Sequence, residues 1–117
     1  MSGVKLIDPA TGLEYRAGGP EAGYSYALSA ANSTLAASAS GVAVPNVKGG
    51  SYIWAYQLGG TSPSLVLESL GPDGATYQTI ATVTASGTQG VVIGSNATVR
   101  LRNGTANPIT GLSSNLT

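Results

Sequence analysis

Between Gly49-Gly50 and Gly59-Gly60 the chain alternates strictly. Tyr52, Trp54, Tyr56 and Leu58 fall on one side of an extended backbone, with Ile53, Ala55 and Gln57 on the other. Successive side chains of a strand point to opposite faces, and aromatic residues suit that half-buried setting, so residues 51–58 are predicted to form a strand. Residues 64–70 are the next apolar run, closed by the turn signal Gly71-Pro72-Asp73-Gly74. Residues 75–84 then return as its hairpin partner. Their apolar members Tyr77, Ile80 and Val83 are spaced by three instead of two, which predicts a bulge near Thr79. Residues 90–93 form another apolar run. Residues 97–102 set Val99 and Leu101 opposite Arg100 and Arg102, Asn103-Gly104 reads as a tight turn, and residues 109–116 form the last strand.

The first half of the chain is less regular. Tyr24, Tyr26 and Leu28 alternate over a short run, and Val42, Val44 and Val47 read as a strand that Pro45 confines to a sheet edge. Residues 30–40 are rich in Ala, yet they have no apolar stripe of period 3.6 and no charged face. Strand and loop are therefore expected there, not helix. Seven to eight short strands broken by Gly, Pro and Asn predict an all-β fold, an antiparallel β-sandwich or a jelly-roll-like barrel, over residues 24–117. Residues 1–23 read as an extended N-terminal arm. Their turn signals at Asp8-Pro9-Ala10-Thr11-Gly12 and residues 16–23 leave only Val4, Leu6, Ile7, Leu13 and Tyr15 as apolar candidates for burial on a neighbour.

Composition narrows the partners. The 117 residues include no Phe and one Met, so Tyr52, Trp54, Tyr56 and Tyr77 are the largest side chains available to a core or a subunit interface. Charged residues make up 9%, against roughly 25% in an ordinary soluble domain. The net charge is zero, and five of the ten charges (Lys5, Asp8, Glu14, Arg16 and Glu21) belong to the arm. Nucleic-acid binding needs clustered Lys and Arg, so a nucleic-acid partner is not expected. No apolar run approaches a membrane span and residues 1–9 do not read as a signal peptide, so the expected place of synthesis is a cytoplasm, with no membrane partner. A thin core and a weakly charged surface together favour burial against other protein.

Catalytic chemistry finds few residues to use. The chain has no His and no Cys, which removes the commonest general base, the commonest metal ligand and any thiolate. Glu68 and Asp73 are the only carboxylates beyond the arm, and they lie in a strand and a Pro-Asp-Gly turn. As a glycosidase pair they are a weak candidate, and calcium at Asp73 lacks an acidic loop. Lys48 sits in a Gly-rich turn without a Ser-Lys motif, and the Gly pairs lack the Lys-Ser/Thr helix start of a phosphate loop. No catalytic residue, cofactor or metal is expected. Trp54 with Tyr52 and Tyr56 would make a stacking platform for sugars only if exposed, and core packing is the expected use. Arg100 and Arg102 would suit a phosphate or an acidic glycan, although paired surface charges more often serve solvation or edge protection. The Asn-x-Ser/Thr triplets at Asn32, Asn96, Asn103 and Asn115 are expected by chance in a Ser/Thr-rich chain.

An arm containing Asp8-Pro9-Ala10-Thr11-Gly12, followed by a Gly/Ala/Ser/Thr-rich β domain, resembles the accessory virion proteins of tailed bacteriophages, above all the small capsid decoration (cement) proteins. The segment Leu67-Glu68-Ser69-Leu70-Gly71-Pro72-Asp73-Gly74-Ala75-Thr76-Tyr77 is similar to a hairpin recurrent in phage structural proteins and other β-sandwiches. The resemblance implies a non-enzymatic structural protein located in the virion. It would act as a homo-oligomer, a homotrimer being favoured, bound to the major capsid protein or another virion protein on the outside of the shell. Alternatives from other classes are a tail-fibre or adhesin-type glycan-binding module and a head-completion or tail ring component.

Overall fold

A computed structural model describes residues 24–117, together with the backbone of two short strands, β1 (Leu6–Asp8) and β2 (Leu13–Tyr15). The side chains of Val4, Leu6, Ile7, Leu13 and Tyr15, expected to make contacts from the arm, lie outside the described residues. β1 and β2 pair antiparallel, Leu6 opposite Tyr15 and Asp8 opposite Leu13, as a two-stranded sheet of their own.

From Tyr24 onward the fold is all-β. Nine strands follow: β3 (Tyr26–Ala27), β4 (Ser33–Leu35), β5 (Val44–Val47), β6 (Gly50–Gly59), β7 (Leu65–Leu70), β8 (Tyr77–Val83), β9 (Gly87–Ile93), β10 (Ala97–Asn103) and β11 (Ile109–Leu116). They form two separate antiparallel sheets, so the arrangement is a sandwich and not a closed barrel. One sheet runs β5-β10-β7-β8. The other runs β3-β11-β6-β9, with β4 beside β3 along the same edge of β11. β4 lies in the Ala-rich residues 30–40, where strand and loop are expected, and brings the strands from Tyr24 onward to nine.

Alternation builds the core between the sheets. β6 turns Tyr52, Trp54 and Tyr56 inward, and all three are buried. They meet Val91 and Ile93 of β9 and Ile109, Leu112 and Leu116 of β11. The opposite sheet contributes Val47, Leu65, Leu67, Val83, Val99 and Leu101. Each large side chain removed from water stabilises the fold by about 1.5–3 kcal/mol before ordering costs. The indole N–H of Trp54 donates to Ser114 Oγ at 2.8 Å, and that hydroxyl donates to the Ala55 carbonyl at 3.0 Å, so the buried polar atoms of this layer have partners.

Two bulges keep the inward phase. The β7–β8 register steps from Leu67 opposite Ala81 to Glu68 opposite Thr79, leaving Ile80 as the extra residue beside Thr79, where the apolar spacing predicts it. In β11 the register shifts between Thr110 and Ser113, with Gly111 at φ +59°, a conformation glycine adopts without steric penalty. The shift lets Ile109 and Leu112 both face the core although they are three residues apart.

Only β7 and β8 are consecutive strands that pair within the large sheets. Their turn is closed by the Gly71 N–H to the Thr76 carbonyl (2.7 Å) and by Asp73 Oδ1, which accepts from the backbone N–H groups of Ala75 and Thr76 at 2.9 Å each. Asn103-Gly104 does not form the tight hairpin turn that the dipeptide predicts. The chain crosses there from one sheet to the other through residues 104–108, and Asn103 is 1% exposed. Its amide donates to the carbonyls of Leu35, Ala36 and Asn107 (2.8–3.1 Å), and its Oδ1 accepts from the backbone N–H and the hydroxyl of Thr105. A buried side chain so engaged ties the crossing to β4 and has no surface for a glycan.

Replacing Asn103 with Ala would remove its amide from the Leu35, Ala36 and Asn107 carbonyls, although the Ala39 N–H still donates to Ala36 and the Thr105 hydroxyl to Asn107. Asn103→Ala is therefore expected to destabilise the domain by about 1–3 kcal/mol, read as a lower urea midpoint at unchanged slope.

Candidate functional site: the interaction surfaces

The two outer faces of the sandwich have opposite characters, and strand alternation is the reason. In β10 the inward set Val99, Leu101 and Asn103 forces Arg100 and Arg102 outward. In β7 Leu65 and Leu67 face in, so Val66 and Glu68 face out. The β7–β10 register places Arg100 directly opposite Glu68 and Arg102 opposite Val66. Arg100 Nε donates to Glu68 Oε1 at 2.7 Å, and Arg102 Nε donates to Glu68 Oε2 at 3.0 Å. The Arg100 guanidinium also lies over the Tyr77 ring, 3.6 Å from its centroid.

This arrangement explains why Glu68 is only 3% exposed on an outer face: two guanidinium groups cover it. Both carboxylate oxygens accept from arginine, which suits a fixed ion cluster. Asp73, the other half of the weak glycosidase candidate, has its own carboxylate engaged by the turn. The backbone N–H groups of Thr76 and then Ala75 hold its pKa down, from 3.8 to about 2. Among the described residues no three His, Cys, Asp or Glu side chains gather as a metal site. Tyr77, grouped by sequence with the core aromatics, is half-buried beneath Arg100 instead of lying between the sheets.

The other outer face is uncharged. β6 presents Ser51, Ile53, Ala55 and Gln57, β9 presents Thr88, Gly90 and Val92, and β11 adds Ser113 and Asn115. Ile53 is 50% and Val92 74% exposed, and they flank a shallow groove of about 320 Å³ over Gly90. The glycine leaves open space where a Cβ would stand. Beneath this face Trp54 is wholly buried, so its ring offers no platform to a sugar. Tyr52 donates its hydroxyl to the Lys48 carbonyl at 2.6 Å, and burial, with Tyr26 and Tyr24 nearby, raises its pKa above 10.0.

A third surface opens at one side of the sandwich, where the β3/β4 edge faces the β5 edge. A cleft of about 470 Å³ lies there, lined mainly by Leu28, Leu35, Val42, Val44, Leu101 and Leu112. The segment before β5 is held across it by the Gly41 N–H to the Leu101 carbonyl at 2.7 Å and the Asn103 N–H to the Ala39 carbonyl at 2.8 Å. Val42, at the rim, is 83% exposed. Periodicity did not single out this cleft, because its lining is drawn from five separate segments.

No protein-family model matches the chain, and neither the curated proteins nor the solved structures contain a match to it.

Two measurements probe the ion cluster and the turn. Glu68→Ala removes the one anion between two guanidinium groups. It is expected to destabilise by about 1–3 kcal/mol, with a deficit that narrows as salt screens the remaining Arg100–Arg102 repulsion. Asp73 has a folded pKa below its ordinary value, so its contribution is fully present above 3.8 and is lost as pH falls through about 2. Asp73→Ala should flatten the acid limb of stability in that window, and a carboxyl titration followed by NMR should place the wild-type midpoint near the lower bound.

Proposed function

We propose that this chain is a non-enzymatic structural protein of a phage virion. In this reading it binds the outer surface of the capsid and stabilises it through contacts among its own copies and with the major capsid protein or another shell protein. The observation that supports the reading best is the uncharged outer face of the β3-β11-β6-β9 sheet, with Ile53 and Val92 exposed on it. Large single-sign fields and buried unpaired charges both oppose close packing of protein on protein. A flat face of Ser, Thr, Ala, Gly, Gln and Asn around two apolar side chains meets neither obstacle.

The scarcity of charge supports the same reading. The 94 residues from Tyr24 onward carry Lys48, Glu68, Asp73, Arg100 and Arg102 alone, and three of these five neutralise one another in part. Such a surface suits a protein that spends its life covered by neighbours. A decoration role also needs no single tight contact, because repetition over a shell multiplies a modest affinity. A homotrimer located in the virion, with arms 1–23 reaching to adjoining protein, is the favoured form. The burial of Trp54 weighs against a glycan-binding module that relies on that ring.

The test is direct. Purified protein mixed with expanded phage capsids that lack it should cosediment saturably and raise the temperature at which the shells rupture. Ile53→Lys with Val92→Lys should weaken that binding at least tenfold while leaving the melting temperature of the free protein within a few degrees. Capsids that neither bind nor gain stability would rule the decoration role out.

A further inference from the structure

We propose that the cleft between the β3/β4 edge and the β5 edge receives the N-terminal hairpin of a neighbouring copy of this chain. The inference rests on the reading above of a self-assembling virion component, and it names where the arm goes.

Three observations carry it. The first is the cleft, whose lining is mostly apolar, with Ser29, Ser33 and Thr34 among it. Leu28, Leu35, Leu101 and Leu112 form its floor and walls, and Val42 stands at the rim 83% exposed. A space of about 470 Å³ is large enough to take two or three aliphatic side chains, and leaving apolar walls in contact with water forgoes the stabilisation that burial provides.

The second is the backbone on either side. Among the described residues β3 and β4 pair only with β11, and β5 pairs only with β10. Each therefore presents an unpaired edge beside the cleft. Pro45 and Asn46, the latter at φ +58°, interrupt the β5 edge, and residues 28–32, with Asn32 at φ +51°, separate β3 from β4; because the β3/β4 edge carries no proline, Ser33–Leu35 is the template for an added strand. A strand laid there would pair its backbone and project alternate side chains into the cleft.

The third is the arm. Leu6–Asp8 and Leu13–Tyr15 are already extended and pair with each other, yet among the described residues they join neither large sheet of their own chain. A lone two-stranded hairpin is marginal in water and needs a surface to pack on. By register Leu6, Leu13 and Tyr15 share one face of this hairpin with Asp8, and Ile7 and Glu14 share the other, so the first face supplies the apolar residues for the purpose. The described domain begins at Tyr24, three residues before Ala27 at the cleft mouth, so an arm leaving one copy starts at the very edge that another copy's arm would extend. Exchange of arms between equivalent copies closes a ring under rotational symmetry, as the trimer requires.

Because the chain contains no cysteine, two introduced cysteines report without background. The full-length double variant Leu6→Cys/Val42→Cys would be oxidised gently and its species sized under non-reducing conditions. Leu6→Cys/Val92→Cys serves as the control, since Val92 is comparably exposed at 74% but lies on the outer face of β9. Disulfide-linked multimers forming at least tenfold faster in the Val42 variant than in the control are the expected result. Equal rates in the two variants, or closure within single chains, would overturn the proposal. The experiment contains no capsid, so the two readings fail separately. Linked multimers that ignore capsids would sink only the decoration role, and capsid binding without the preferred cross-link would sink only the arm exchange.

Discussion

Trp54 has no exposed surface, and its position in the middle of β6 ties the rest of the domain together. β6 is the longest strand and lies between β9 and β11, so its inward residues touch the contributions of both. The indole needs a hydrogen-bond partner wherever it is buried, and Ser114 of β11 supplies it at 2.8 Å. That contact adds a buried side-chain link to the backbone pairing of β11 with β6. It also depends on the bulge at Gly111, without which the inward phase of β11 could not hold both Ile109 and Ser114. In a chain without Phe no other residue fills the same volume.

A second constraint comes from the crossings. Apart from the β7–β8 hairpin, every connection between consecutive strands from β5 onward carries the chain from one sheet to the other. Crossings expose backbone groups at the ends of the sandwich, and those groups need partners. Asn103 meets much of that need at one end, joining β10, the 104–108 loop and the end of β4 through one buried amide. The polar interior of this small domain is thus concentrated in Asn103 and Ser114, with the remaining volume left to aliphatic and aromatic packing.

The faces divide the remaining work. One sheet gathers three of the domain's five charges into the Glu68, Arg100 and Arg102 cluster, with Tyr77 beneath Arg100. Opposite charges facing each other across strands stabilise the sheet and leave a polar, hydrated outer surface. The other sheet has an outer face without charge, and the open side between the sheets has an apolar cleft. Surfaces of this kind gain from being covered, which is the physical ground for reading the chain as a component of an assembly.

Much of this was legible in the residues alone. The alternation of Tyr52, Trp54 and Tyr56 defined β6 and its buried face. The threefold spacing of Tyr77, Ile80 and Val83 located the β8 bulge, and Gly71-Pro72-Asp73-Gly74 marked the hairpin, because all of these are local relations between neighbours in the chain. Other features depended on which strand lies beside which. Glu68 and Arg100 are 32 residues apart, and only the β7–β10 register turns them into an ion pair covering a buried carboxylate. The same dependence moved Tyr77 out of the core, made Asn103 a buried junction instead of a hairpin turn, and assembled the cleft from segments between Ala27 and Leu112. Local spacing determines strand phase, because each side chain's face follows from its immediate neighbours. Pairing between distant strands decides the surfaces, because the free energy of a register is shared over the whole sandwich and no single segment encodes it.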